Sequence, residues 1–193
     1  AGAISFGEGQ LFAFPIRSLK GCFVWATSPL LLYRFKERLT IAEKTLSKLD
    51  ALLQNLTTID RPMICQDSED VLLVGDRPTM PNPDTRKLML EEFSYGFTIS
   101  TPLKEFAEEI AEKIFDPASY LINEFKKKLI VLPEDSFRYF VTNATEIMPN
   151  IRIGRDGVTE EGSLRYTEYL PRESILYSLA IHEGAKQPTK GTI

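Results

Sequence analysis

FPIRSLKG (residues 14–21) runs straight into CFVWATS (22–28) and PLLLYRFKERL (29–39). Two apolar, aromatic-rich runs flank a basic turn made of Arg17, Ser18, Lys20 and Gly21, and both runs read as strands. A helix follows. Ser28 is a suitable N-cap, and Pro29 suits the first helical position, where the N–H it lacks would have no intrahelical partner. The stretch predicts a β-β-α unit with cationic side chains at a corner of a sheet, and Gly21 is expected at a tight backbone position.

Upstream, AISFGEGQLFAFP (3–15) predicts a strand interrupted by a turn or bulge at Gly7-Glu8-Gly9. Downstream, Ile41, Leu46, Leu49, Leu53 and Leu56 are spaced for an amphipathic helix across 40–56. Residues 57–84 hold Pro62, Gly75, Pro78, Pro81 and Pro83 around one apolar run, 71–74, and read as an irregular insertion. Residues 87–95 read as a strand and 101–115 as a strong helix with Leu103, Phe106, Ile110 and Ile114 on one face. A second helix is expected from Asp116-Pro117 to the lysines 126–128, then a buried strand at 129–132 and an amphipathic helix at 134–143. The Gly154–Gly157 segment reads as a turn between hairpin arms, with the return arm at 164–170. Residues 174–181 read as a core strand, and the polar tail from 184 is expected to fray. Alternating strands and helices predict an α+β domain, helices against an antiparallel sheet, in an RRM-like arrangement. The aromatic signature of RRM domains is not present in its standard form.

The chain has 193 residues, 43% hydrophobic and 26% charged, with a formal net charge of -4. That size suits one sizeable domain. The acidic balance argues against binding nucleic acid by bulk attraction, yet leaves a local basic groove open, because net charge averages over the whole surface. No apolar run approaches the ~20 residues of a membrane span, and no secretory leader is recognisable at residues 1–10. Cys22 and Cys65 lack Cys or His neighbours at metal-ligand spacing, so a zinc site is not expected; reduced thiols and a cytoplasmic location are.

The sole histidine, His182, ends a strand and has no nucleophile to serve, so catalysis by it is not expected. No Gly-rich phosphate loop supports a metabolic enzyme of ferredoxin-like fold. Arg17 and Lys20 could bind phosphate with Ser18 and the Gly21 backbone, or be solvated charges at a strand connection. Arg152, Arg155 and Arg165 surround the glycine-bracketed turn, where guanidinium groups could grip a nucleic-acid backbone while Met148 and Ile151 wedge between bases. The competing reading is an ordinary charged hairpin, with Asp156, Glu160 and Glu161 offsetting the arginines. Tyr166-Thr167-Glu168-Tyr169 alternates across two faces; Glu168 and Tyr169 could contact RNA or belong to a half-buried strand. The lysines 126–128 suit a helix C-terminus. Glu91-Glu92 and Glu108-Glu109 are sequence neighbours pointing different ways, which makes a metal-binding pair improbable.

Three ordered blocks carry a resemblance. FPIRSLKGCFVWATSPLLLYRF (14–35) resembles the R-S-L-K-G turn and Thr/Ser-Pro helix start of the backbone subunit of Cmr-type (type III-B) CRISPR effectors. LPEDSFRYFVTNATEI (132–147) is similar to that family's Pro-acid-acid-x-Phe-Arg helix. NIRIGRDGVTEEGSLRYTEYLPRESILYSL (150–179) is similar to its R-I-R-I hairpin and Tyr-x-Glu-Tyr-Leu-Pro strand. The resemblance implies a single domain over 1–193 with a modified ferredoxin-like/RRM (RAMP) fold, an irregular insertion at 57–84 and a projecting β-hairpin thumb at 148–169. It implies a guide-RNA-binding subunit, assembled with copies of itself and other Cmr subunits in an antiviral complex. In that family the thumb displaces a base at regular intervals, and each subunit cuts target RNA with a divalent metal, Mg or Mn. Arg152, Arg155 and Tyr169 become candidate RNA contacts. The family's acidic cleavage loop is expected to lie outside this chain, which then supplies no catalytic or metal-binding residue. Thr167 stands where the family has an acid. The alternative is a non-catalytic scaffold or protein-interaction subunit of the same fold.

Overall fold

The computed structural model describes residues 4–56, 58–76, 84–155 and 157–182. Strands β2 (Gln10–Ser18) and β3 (Cys22–Thr27) form the expected antiparallel hairpin, with Phe14 opposite Ala26 and Ser18 opposite Cys22. Gly21 sits in its turn at φ +85°, where a Cβ would lie 2.9 Å from the Val71 carbonyl oxygen. Helix α1 (Pro29–Ile41) starts as the sequence predicts. The Ser28 side chain accepts the Leu31 N–H at 3.4 Å, and the Glu134 carboxylate accepts the Leu30 N–H at 3.3 Å.

The hairpin lies inside a mixed sheet. Its spatial order is β5 (Leu73–Val74), β6 (Lys87–Leu90), β2, β3, β9 (Leu129–Val131), β4 (Met63–Ile64) and β8 (Thr98–Ile99), with β7 (Phe93–Tyr95) on β6 and β12 (Ile175–Tyr177) on the start of β2. The β3–β9 and β4–β8 pairs are parallel. Both faces of the sheet are apolar. Trp25, Met63, Leu129 and Val131 pack on one side with α1, α2 (Ser47–Gln54), α4 (Thr101–Ile114) and α5 (Leu121–Lys128). Val24, Ala26, Ile64 and Ile130 point to the other, under α3 (Glu69–Leu72) and α6 (Glu134–Asn143). Consecutive apolar residues point to the two faces in turn and make both apolar, so helices cover the second face as well as the first.

Several local expectations shift. The helix expected across 40–56 is shortened to α2, because α1 runs to Ile41 and Glu43 turns the chain at φ +53°. Residues 87–95 fold as a tight β6–β7 hairpin about Glu91 (φ +48°) rather than one strand. The cap of α4 is Ser100, one residue early, and α5 begins at Leu121 after the Asp116 carboxylate accepts the Ala118 N–H. The run 174–181 divides: β12 pairs with β2, whereas β13 (Ala180–His182) pairs with β1 (Ile4–Phe6) in a separate ribbon. Leu176 and Ile181 are consequently exposed. Within the stretch read as irregular, the described residues 58–76 supply β4, α3, β5 and a 3-10 turn (Gln66–Ser68). Two-residue strands are too short to show a period, so their pairing is decided by tertiary contacts. The Pro78–Pro83 part of that reading, Asp156 and the tail from 184 lie outside the described residues.

Candidate nucleic-acid interface

Beyond α6 the chain leaves the sheet and returns as an antiparallel ribbon, β10 (Glu146–Asn150) against β11 (Arg165–Tyr169). The ribbon is a sheet of its own, and every described residue from Ile147 to Asn150 and from Arg165 to Tyr169 is exposed. Register assigns its faces. Met148 opposes Thr167, Asn150 opposes Arg165, and Glu146 opposes Tyr169. These six share one face, while Ile147, Pro149, Tyr166 and Glu168 share the other. Asn150 Nδ2 donates to Thr167 Oγ1 at 2.9 Å across the first face, and Thr145 Oγ1 donates to Glu168 Oε1 at 2.6 Å. Glu168 is therefore tied to the root of the ribbon, on the face opposite Tyr169.

The tip continues through an Ile153–Thr159 bridge and a tight Gly154 turn, whose N–H donates to the Val158 carbonyl at 2.8 Å. Arg152 meets Glu160 only at 3.6 Å, with its side chain 74% exposed. Arg155 and Arg165 have no ion pair among the described residues. Ile151, Arg152 and Arg165 border a shallow concavity of about 620 Å³ with Glu160, Glu161 and Ser163. Met148, Ile151 and Tyr169 stand 46%, 55% and 46% exposed, large apolar groups with no described cover.

A second groove, about 510 Å³, lies where the ribbon is rooted. Arg17 from β2, Phe23 from β3, Tyr139 and Asn143 from α6, Glu146, and Arg172 line it. The structure thus joins Arg17 to the hairpin root and separates it from Lys20, whose Nζ donates to the Leu73 carbonyl at 3.2 Å. Ser18 is buried, its hydroxyl lacks a partner among the described residues, and alternation along β2 turns it to the face opposite Arg17. Tyr139 packs edge-on against Phe93 at 5.1 Å and is 42% exposed. Sequence reasoning missed Tyr139, Asn143 and Arg172: no local pattern marks them, and only the packing of α6 beside the ribbon root gathers them. His182 is at the exposed end of β13, opposite Ile4. Among the described residues no three His, Cys, Asp or Glu side chains converge to hold a metal ion, and no helix is long and apolar enough to cross a membrane.

This α+β topology, with a ribbon standing off the sheet, matches the RAMP fold of solved Cmr4 structures. No family model matches the chain. The chain is similar to Cmr4: the "CRISPR system Cmr endoribonuclease Cmr4" of Pyrococcus furiosus is 33% identical over 183 residues, 94% of this chain and 55% of that protein. The chain therefore spans about half the length of the curated relative it matches. The crystal structure of oligomeric Cmr4 from the same organism superposes with a TM-score of 0.60 at 26% identity, covering 96% of this chain and 59% of that one. A subunit in the cryo-EM structure of the type III-B Cmr-beta complex bound to cognate target RNA gives a TM-score of 0.64 at 21% identity, covering 96% and 59%, a likeness of fold.

Proposed function

We propose that this chain is a guide-RNA-binding backbone subunit of a type III-B Cmr complex, assembled with copies of itself and other Cmr subunits and engaging target RNA. The observation that carries the reading is the exposed ribbon, with Arg152, Arg155 and Arg165 free of close ion pairs and Met148 and Tyr169 on one open face. Guanidinium groups supply sequence-independent attraction to phosphates, and an exposed tyrosine offers a surface on which any base can stack. Met148 and Ile151 are shaped to wedge at a base step. Arg17 adds a cation at the ribbon root, and Glu168 orients that root through Thr145. Lys20, tied to Leu73, contributes charge at the far side of the turn.

Cleavage of target RNA at regular intervals, supported by a divalent ion such as Mg or Mn, belongs to this reading as an activity of the whole protein. The described residues hold no ligand set for such an ion, so none of the cleavage steps is assigned to them. The test is assembly of the protein as its gene encodes it with guide-length RNA, in wild-type form and with Arg152→Ala plus Arg155→Ala. Weakened binding with a shallower salt dependence, by about 0.7 in log-log slope per lost phosphate contact, supports the reading. Unchanged assembly and slope would defeat it.

A further inference from the structure

We propose that the groove between α1 and α6 is a second ribonucleotide-backbone site, in which Arg34, Arg38 and Arg138 hold phosphates of the same strand that passes the hairpin. This rests on the reading that the chain binds RNA.

The first support is how the arginines are paired. Among the described residues, Arg61 and Arg86 have a carboxylate at 3.0 Å or closer. Arg138 and Arg152 reach theirs only at 3.9 and 3.6 Å. The other six, Arg34 and Arg38 with Arg17, Arg155, Arg165 and Arg172, have no ion pair. Every one of these loosely paired or unpaired arginines borders a groove or sits on the ribbon. A chain with net charge -4 has carboxylates to spare. Guanidinium groups left unneutralised on the ribbon and in its neighbouring grooves are what a polyanion ligand requires.

The second support is continuity. Helix α6 is a ridge between two grooves: Tyr139, Phe140 and Asn143 line the groove at the ribbon root, whereas Phe137, Arg138 and Val141 line the one beside α1. Arg138, 73% exposed, lines the α1 side of that ridge, next in the chain to Tyr139 on the ribbon side. Arg17 and Arg172 border the groove on one side of α6, and Arg138, Arg34 and Arg38 border the groove on the other, none of them in a close ion pair.

The third support is local. Arg34 and Arg38 lie four residues apart, about 6 Å along the helix, a spacing at which like charges repel. Glu8, Glu37 and Glu134 also line the groove. Glu134 is occupied by the Leu30 N–H and the Ser28 hydroxyl, and Glu8 and Glu37 form no ion pair with the arginines. The cavity, about 770 Å³, accommodates nucleotides over an apolar floor of Leu30, Phe137 and Val141.

The experiment uses the protein as its gene encodes it and a fluorescein-labelled, unstructured single-stranded RNA of guide length, titrated at several salt concentrations. Arg34→Gln with Arg38→Gln, and separately Arg138→Gln at an exposed position that cannot unsettle the core, are compared with Arg152→Ala plus Arg155→Ala. The inference expects weaker binding in both groove variants, with the log-log salt slope reduced by about 1.4 for the pair and about 0.7 for the single change. Unchanged binding in the groove variants, with loss in the hairpin variant, overturns the inference and leaves the RNA reading standing. Absence of RNA binding by the wild-type protein overturns both. Groove variants that keep RNA but lose association with other subunits reassign the groove to an acidic protein partner, which also overturns it.

Discussion

The indole Nε1 of Trp25 donates a 2.9 Å hydrogen bond to the backbone carbonyl of Glu173. Trp25 is buried in the middle of β3, and Glu173 lies just past the ribbon, in the left-handed region at φ +69°. One core side chain therefore fixes the point at which the hairpin rejoins the domain. Trp25→Phe removes the donor and part of the ring, leaving the carbonyl unpaired and a small void. The expected cost is roughly 1–3 kcal/mol in urea unfolding, together with faster amide exchange at residues 171–174. Exchange no faster than wild type would show that the ribbon root is held by other contacts.

Gly21 joins β2 to β3 at φ +85°, and a Cβ there would meet the Val71 carbonyl oxygen at 2.9 Å. Gly21→Ala combines an unfavourable backbone conformation with a clash against main chain, which cannot rotate away. We expect a loss of about 1–3 kcal/mol, read by chemical denaturation. A variant as stable as wild type would mean that the α3 backbone retreats at little cost.

Cys65 is fully buried, and burial pushes its thiol up to about 12 from an ordinary value of 9.0. Desolvation penalises the thiolate, so the folded state keeps the proton where the unfolded chain has released it. Below pH 9 both states are protonated and the residue adds no pH dependence. Between 9 and about 12 the unfolded state alone ionises, so stability falls as pH rises, by up to ~1.4 kcal/mol per unit. The difference between wild type and Cys65→Ala in urea titrations at pH 8 and 10 isolates this effect. In the native protein at pH 8, a thiol reagent should modify exposed Cys22 and spare Cys65.

Register puts Tyr169 on the same ribbon face as Met148 and Arg165, and Tyr166 on the opposite face. If the first face holds RNA, Tyr169→Ala should weaken binding by about 1–3 kcal/mol, as expected for a lost stacking partner, and Tyr166→Ala by clearly less. Equal losses in a fluorescence titration would place RNA on the ribbon's edge or on both faces.

Much of this architecture was legible residue by residue. The Ser28-Pro29 helix start, the glycine between β2 and β3 and the ribbon around Gly154 are each written within a few positions, because caps, turns and positive φ are local matters. The break after Ile41 was not legible: no Gly or Pro marks it, and Glu43 takes a left-handed conformation on which α1 and α2 both depend. The split of residues 174–181 was equally hidden, since an apolar run of that length does not say which neighbour each half will pair with. The arginines of the hairpin were visible as a cluster. Arg34, Arg38 and Arg138 were not, being scattered over two helices.

By itself the sequence determined the local pieces: where strands turn, where helices start, and which short segment carries exposed cations between glycines. Those depend on backbone sterics and on hydrogen bonds a few residues long. Only the tertiary structure decided that Trp25 would hold Glu173, that Arg17 would share a groove with Arg172, and that the loosely paired and unpaired arginines would lie along the ribbon and two adjoining grooves. Such relations depend on long-range packing and on which carboxylates come within reach, quantities that spacing along a chain does not encode.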